Sequence, residues 1–600
     1  MFELNIFGFI LLYSMIATCV VAQIDGLGET IIFPDIVPSI NLTWSPCFDG
    51  FNCSRLDVPL DYLKLNGSRS SIPLVKMPAA GTPYKGMLLT NPGGPGSNGI
   101  EYLRNAVYSI KVDPSLSILQ TLHQNYDLVS WDVRGVGLAL PGANCNLSGP
   151  AISSRNATIS SLNRVKKRSL DKIYGPPGLD FNFTKDLETR FNISVQCQAQ
   201  LSDTNEIGSH MSTASVAQDL ISILDAFARS EDGSKVEDAS LLNYWGISYG
   251  TFIGETFSSM FPDRVGRVAL DAVMDPYDWV AGNHFIYVAD TDDLFSTFFL
   301  YCHLAGSSVC PFYTGSSAHD IYLRFESMIS KLNSTYAMEQ GWQNATDIDT
   351  ALKFFRNGVI LQSLYHPILN FPYLAQGFAD LDAALMNTTN TTLENQLSNF
   401  IQLQLAALKE SIKTAPFFVQ DDDQFGPENP WYPAVACLDN GGVWHNLTHQ
   451  ELFSRLKALQ GESYIGGLGN VNNALTCVPW QILTDDRYAG PFGGKTKNPV
   501  LFVSNVLDPV TAIANGRKGA AMFDRAELLT VEAIGHSSLL ARNRCAFSKI
   551  VTFFINGTLP GEDNYCGPDA GPWNITIPGT LKENTGLSEI KRSLRALRVK

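Results

Sequence analysis

A serine flanked by glycines, Gly246-Ile247-Ser248-Tyr249-Gly250, follows the apolar run Leu241-Leu242-Asn243-Tyr244-Trp245 and precedes a helix-like stretch, Thr251 to Met260. The G-x-S-x-G pattern takes its meaning from this strand–turn–helix setting. On such a strained turn the serine Oγ projects above a sheet edge, and the glycines let backbones pass without a clashing Cβ. The bare pattern also arises by chance in long chains, where the serine does nothing more than turn a strand into a helix. The flanking apolar strand and the following helix favour a nucleophile.

A serine hydroxyl is a poor nucleophile alone and needs a base, an acid to orient the base, and donors for the developing oxyanion. The acid candidate is Asp508, which ends the apolar run Pro499 to Leu507. The base candidate is His536, which follows the strand-like Ala526 to Ala533 and a flexible Gly535. Acid and base placed after successive strands can converge on a serine presented by an earlier strand. The other eight histidines (His123, His210, His284, His303, His319, His366, His445 and His449) lack this strand-end placement and read as ordinary surface or core residues. The oxyanion donors are expected from Gly94, in the loop Asn91-Pro-Gly-Gly-Pro-Gly-Ser after the strand-like Gly86 to Thr90, and from the N–H of Tyr249. Pro95 has no N–H and cannot donate.

Five segments together are similar to one family. They are Asn91-Pro-Gly-Gly-Pro-Gly-Ser, Trp131-Asp-Val-Arg-Gly-Val-Gly, Gly246-Ile-Ser-Tyr-Gly-Thr, Phe261-Pro-Asp-Arg-Val-Gly-Arg-Val and Leu507-Asp-Pro-Val-Thr. They resemble the tripeptidyl aminopeptidase / prolyl iminopeptidase-like group of secreted serine hydrolases. The likeness runs over residues 44–570, including the segment from Cys545 to Cys566. It implies an α/β-hydrolase core, a mostly parallel sheet flanked by helices, with a large, mainly helical cap inserted before the acid-bearing strand. It also implies release of short peptides or residues from free N-termini, with the triad on Ser248, Asp508 and His536. Thr511 matches the family's D-x-x-T; it would hydrogen-bond near the triad or cap the next helix. The chain departs from the pattern at Leu138-Ala139, at Ala512 and at Glu255 on the nucleophile helix. These departures leave the triad untouched and bear on specificity, which changes freely on a shared fold.

An aminopeptidase must hold a substrate ammonium, so carboxylates are expected near the site. Candidates in the insertion are Asp290, Asp292, Asp293, Asp421, Asp422, Asp423 and Asp439. Asp439, after Cys437 in an Ala-Cys-Leu-Asp context that resembles the family, ranks first as a substrate-binding residue. For Asp421 to Asp423 a solvated acidic loop is the plainer reading. An esterase, or a hydrolase of a secreted metabolite, would use the same triad and loop without any ammonium receptor. A catalytically dead binding protein on this fold would have lost a triad residue, and all three are present.

The elements that must position these residues set the organisation. Strands are expected at Gly86–Thr90, Asp127–Trp131, Tyr244–Ile247, Val265–Ala272, Val500–Ser504 and Leu528–Glu532. The expected division is a signal peptide over residues 1–22, core over 23–276, a helical lid over 277–496, core again over 497–570, and a tail over 571–600. Helices are expected in the lid at Asp320–Lys331, Asp347–Ser363 and Thr392–Thr414. A lid of this kind excludes water and selects substrates. In the tail, Leu587, Ile590, Leu594 and Leu597 have helical spacing, and a frayed amphipathic tail is expected ahead of membrane-surface contact.

Composition narrows the partners and the compartment. A net charge of −15 argues against nucleic acid. No P-loop, dinucleotide fingerprint or metal-ligand spacing is found, so no cofactor and no metal is expected; the partners are a peptide or ester small-molecule substrate and N-linked glycans. Leu4 to Ala22 is largely apolar and ends in Val20-Val21-Ala22, a small-residue cleavage pattern, which points to a secreted, extracellular protein. The absence of Lys or Arg before it leaves an uncleaved anchor as the alternative; no other stretch would span a bilayer. Fourteen N-x-S/T sequons, from Asn41 to Asn574, fit the secretory route. Eleven cysteines less Cys19 leave ten, so five bridges are expected. Spacing does not fix connectivity. Local pairs suit loop closure and fit the family: Cys47–Cys53, Cys145–Cys197, Cys302–Cys310, Cys437–Cys477 and Cys545–Cys566. Lys166-Lys167-Arg168 reads as a solvated loop, with a processing site as the alternative.

Overall fold

Adjacent residues of the apolar runs point to opposite sides of one sheet, and that alternation builds two cores. Leu89, Val129, Leu270 and Phe502 pack in one cluster, and their neighbours Leu88, Leu128, Ala269 and Leu501 pack in another. The structure, a computed structural model, describes residues 33, 36–48, 50–112, 118–143, 194, 197–198, 201, 207–283, 287–332, 355–386, 431–445, 447–577, 579–581 and 585–597.

The strands are β1 (Ser45–Pro46), β2 (Asn52–Pro59), β3 (Arg69–Met77), β4 (Met87–Asn91), β5 (Asp127–Trp131), β6 (Leu242–Ile247), β7 (Val265–Asp271), β8 (Val500–Leu507), β9 (Glu527–Ile534) and β10 (Tyr565–Cys566). They form a ten-stranded sheet in the order β1-β2-β3-β5-β4-β6-β7-β8-β9-β10. The edge from β1 to β3 is antiparallel, including the β3–β5 junction. From β5 through β10 every pair is parallel. All eight residues of β8 are buried, as expected of a central strand covered on both faces. This mostly parallel sheet with helices on both faces is the α/β-hydrolase fold.

The α-helices are α1 (Gly99–Val112), α2 (Ile118–His123), α3 (Thr213–Ala228), α4 (Tyr249–Met260), α5 (Pro276–Val280), α6 (Thr291–Ala305), α7 (Ala318–Ser330), α8 (Pro367–Met386), α9 (Trp431–Asp439), α10 (His449–Gly461), α11 (Gly467–Cys477), α12 (Ile513–Met522), α13 (Ser537–Ala541), α14 (Arg544–Asn556) and α15 (Thr585–Leu597). Helices α3 and α4 cover one face through Val216, Leu220, Phe252 and Phe257. Helices α1, α2 and α14 cover the other through Leu103, Leu122, Ile550 and Phe554.

The expected core strands all form, with ends that differ by at most three residues. Between β7 and β8 the described elements are all helical. The helix expected at Asp320–Lys331 is α7. Of Asp347–Ser363, residues 355–361 form a π-helical turn. The helix expected at Thr392–Thr414 lies outside the described residues, as do residues 1–22, Lys166 to Arg168 and Asp421 to Asp423. Part of the insertion has its own aromatic core, in which Phe298 meets Phe299, Phe371 and Phe378 at ring-centroid distances of 5.3, 5.3 and 5.2 Å.

Four of the expected disulfides form: Cys47–Cys53, Cys302–Cys310, Cys437–Cys477 and Cys545–Cys566. Cys145 of the fifth pair lies outside the described residues. Among the described residues no helix is long and apolar enough to cross a membrane.

The C-terminal segment differs from expectation. The spacing of Leu587, Ile590 and Leu594 does give a helix, α15, but it is docked rather than frayed. All three side chains are fully buried in the core that α6 and α7 share. Lys591 and Arg595 pair with Asp293 on α6 at 3.7 and 3.3 Å. An apolar stripe with a partner of matching shape and charge is removed from water, which outweighs the tendency of a chain end to fray.

Candidate active site

The carboxyl ends of neighbouring parallel strands deliver the candidate residues to one edge of the sheet. Ser248 follows β6 and has φ 58° and ψ −125°, a left-handed conformation unusual for a residue other than glycine. The turn is held from below, because the Ser248 N–H donates to the carbonyl of Asp271 on β7 at 3.0 Å and the Thr251 N–H donates to the Ser248 carbonyl at 2.8 Å. The flanking glycines are required by packing. A Cβ on Gly246 would lie 2.4 Å from the Gly250 carbonyl oxygen, and one on Gly250 would lie 2.6 Å from that of Asn91.

Asp508 follows β8, and His536 follows β9 after Gly535. Both side chains are almost wholly buried. His536 Nδ1 lies 3.0 Å from each Asp508 oxygen. The same carboxylate accepts the N–H groups of Val510 and Thr511 at 2.9 Å and of Ser537 at 3.2 Å. Thr511 Oγ1 lies 3.3 Å from His536 Nδ1, and Ala512, not Thr511, is the N-cap of α12. Asn505 Nδ2 donates to the carbonyls of Gly535 and Ser537, both at 2.8 Å, and so brackets the histidine. The insertion reaches the same turn. The His536 N–H donates to the Tyr365 carbonyl at 2.9 Å, and the Tyr365 ring meets the imidazole edge-on at 5.1 Å.

The Gly93–Gly94 loop leans on the Ser248 turn. A Cβ on Gly93 would lie 2.8 Å from both Ser248 Cβ and Tyr249 N, so no other residue fits there. Gly93, Gly94 and Gly96 all have φ near +100°. The Gly93 N–H is taken by Asn91 Oδ1 at 2.9 Å. In sequence Tyr249 directly follows Ser248, and Gly94 directly follows Gly93. Asp132 anchors the far side of this loop, accepting Ile100 N–H at 3.1 Å and Leu138 N–H at 2.8 Å. Burial pushes its carboxyl up to about 7, against those donors.

Asp439 reaches the Tyr249 hydroxyl through Thr213 and is not an open receptor. It is 3% exposed. Its carboxylate accepts the Thr213 N–H at 2.8 Å, the Thr213 hydroxyl at 2.7 Å and Trp279 Nε1 at 3.0 Å. Thr213 Oγ1 in turn meets the Tyr249 hydroxyl at 2.6 Å. Burial pushes the Asp439 carboxyl up to about 6, with the donors opposing. Three donors to a buried carboxylate make it a brace between α9, α3 and α5, and through Thr213 to Tyr249 on α4. The other described candidates also have protein partners: Asp290 accepts Ile513 N–H, Asp292 holds Ser463, Tyr464 and Ile465, and Asp293 pairs with α15.

Sequence reasoning missed Asp271 and Tyr365. Asp271 ends an apolar strand just as Asp508 does, so the same signal was available. Tyr365 had none, since only the fold brings it to His536.

Residues 466–566 match the TAP-like protein family. That segment carries both Asp508 and His536. The chain therefore contains a TAP-like segment. Relatives of the chain include the serine protease Hip1 of Mycobacterium tuberculosis, 23% identical over 87% of this chain and 90% of that protein. The tripeptidyl aminopeptidase of Streptomyces lividans is 26% identical over 39% of this chain and 38% of that protein. Carboxylesterase B of Mycobacterium tuberculosis is 21% identical over 90% of this chain and 93% of that protein. The chain is thus a serine hydrolase of the α/β fold.

Proposed function

We propose that the protein is a secreted exopeptidase that releases short peptides or residues from free N-termini through an acyl-enzyme. Ser248 Oγ attacks the scissile carbonyl carbon while His536 takes its proton. The N–H groups of Gly94 and Tyr249 receive the oxyanion. The imidazolium then protonates the departing amine, and water, deprotonated by the same imidazole, hydrolyses the ester to regenerate Ser248. Asp508 keeps the imidazole oriented and balances its charge. The observation that carries this reading is the hold of both Asp508 oxygens on His536 Nδ1, two strands from a serine in a left-handed turn. The names of two relatives, a serine protease and a tripeptidyl aminopeptidase, support peptide as the substrate.

An ester substrate is the second reading, favoured by the engagement of Asp439 and by the likeness to a carboxylesterase along 90% of this chain. One panel separates the two. Free and N-acetylated tripeptidyl chromogenic amides and short-chain esters are compared with the wild type and Ser248→Ala. A sharp preference for free amines supports the exopeptidase; fast ester cleavage with no amide cleavage replaces it. Retained labelling of Ser248→Ala by a fluorophosphonate places the nucleophile elsewhere.

Secretion is supported by the four disulfides and by the exposure of the sequon residues Asn41, Asn66, Asn556 and Asn574. Deglycosylation of the protein recovered from culture medium should lower its apparent mass.

A further inference from the structure

A second carboxylate lies behind the triad. Asp271 ends β7, the strand between the one that carries Ser248 and the one that carries Asp508. It is fully buried. Its carbonyl accepts the Ser248 N–H at 3.0 Å. Its carboxylate accepts the Ser538 N–H at 3.0 Å and the Ser538 hydroxyl at 2.5 Å. The preceding N–H, that of Ser537, goes to Asp508. Two consecutive N–H groups directly after His536 are therefore held by carboxylates from two neighbouring strands. One residue thus fixes the backbone of the nucleophile and the turn of the base.

We infer that Asp271 is a positioning residue whose charge, in addition to that of Asp508, supports the His536 imidazolium formed during acyl transfer. This rests on the triad reading above. Structural anchoring alone does not require an acid here, since a neutral amide oxygen would accept the same Ser538 bonds. A buried anion beside a site where positive charge develops acts through a low dielectric and without solvent reorganisation. The titratable groups that face Asp271 are Asp508 after β8, His536 after β9 and Tyr102 on α1. Tyr365 faces the imidazole from the insertion. Both phenols are pushed above their ordinary value by burial and stay neutral. Burial raises the Asp271 carboxyl to about 6, with the Ser538 donors opposing, so it is charged at neutral pH.

The test uses the full mature protein and the second-order rate of Ser248 labelling by a fluorophosphonate, read across pH. Asp271→Asn keeps an acceptor for Ser538 and removes the charge. It should move the acid limb of the profile down by about one pH unit and lower the plateau roughly tenfold, the equivalent of one pK unit. Ser538→Ala removes a bond and keeps the charge, so its limb should coincide with that of the wild type. A folded Asp271→Asn whose limb overlays the wild type, however slow, would show Asp271 to be a scaffold only and overturns the proposal. If Asp271→Asn does not fold, the wild-type profile decides: an acid limb steeper than one proton supports a second titrating acid, and a single-proton limb rejects it. Peptide mapping of the label separates the two failures, since label on a residue other than Ser248 removes the triad reading itself.

Discussion

The backbone N–H of His536 donates to the carbonyl of Tyr365 at 2.9 Å, so the proposed base is tied to the insertion. The ring of Tyr365 closes the same contact edge-on. Gly535 makes it possible, because a Cβ there would lie 2.8 Å from Pro367 Cδ. Tyr365→Ala keeps the carbonyl tie and removes the ring that fixes the imidazole plane. A small misplacement of a catalytic group costs roughly 10–100-fold. The expected result is a fall of that order in fluorophosphonate labelling rate with Tyr365→Phe close to wild type. Equal rates in all three proteins would show that the ring does not set the base.

His366, the next residue, is buried, and among the described residues neither ring nitrogen has a hydrogen-bond partner. Burial, with Arg542 adding, pushes its pKa down to about 3. A depressed folded value means that its contribution to stability is complete above the unfolded value of 6.5 and is lost as pH falls through that value toward 3. His366→Phe removes the linkage. Between pH 7 and pH 5 the wild type should lose about 2 kcal/mol relative to the variant, at 1.36 kcal/mol per pH unit over some 1.5 units. Urea unfolding at both pH values, with disulfides intact, measures this. Parallel losses in the two proteins would refute it.

The legible part of the molecule was the part with strong local signals. Apolar runs such as Val500 to Leu507 could only be buried strands, and the turn chemistry around Ser248 and Gly94 marked their carboxyl ends. Strands β2 and β3 escaped because Arg55, Pro73 and Lys76 interrupt their patterns. The fold buries those charges on partners that no local window contains: Arg55 on the Phe33 and Leu138 carbonyls, and Lys76 on Asp127 and Asp232. Asp439 was legible as an acid near the site, but not as a saturated one. Its three acceptor bonds come from Thr213 and Trp279, 226 and 160 positions away.

That saturation changes what an Asp439 variant should do. Asp439→Ala leaves the Thr213 N–H, the Thr213 hydroxyl and Trp279 Nε1 buried without their acceptor. Each such group left unsatisfied costs about 1–3 kcal/mol, moderated by relaxation. The expected outcome is a large drop in Tm, with free-amine and N-acetylated peptides affected alike, because Tyr249, the proposed oxyanion donor, loses its support through Thr213. A selective loss of free-amine substrates at unchanged Tm would restore Asp439 as the amine receptor.

Glu255 gives the last prediction. It lies on α4, is fully buried, and among the described residues neither carboxyl oxygen has a partner. Burial raises its carboxyl well above the ordinary 4.5; Asp275 adds to this and Lys518 opposes it. A raised folded value carries the opposite sign to His366. Below 4.5 both states hold the proton. Above it the unfolded chain ionises while the folded one does not, so stability is lost as pH rises toward the folded value. Glu255→Met removes the linkage and fills similar volume with a side chain that needs no partner. The variant should be the more stable protein at neutral pH. Its advantage should grow as the pH rises from 5 to 7. Urea unfolding of both proteins at the two pH values reads the difference. An advantage that does not change with pH would mean that Glu255 is ionised in the folded protein and has a counter-charge.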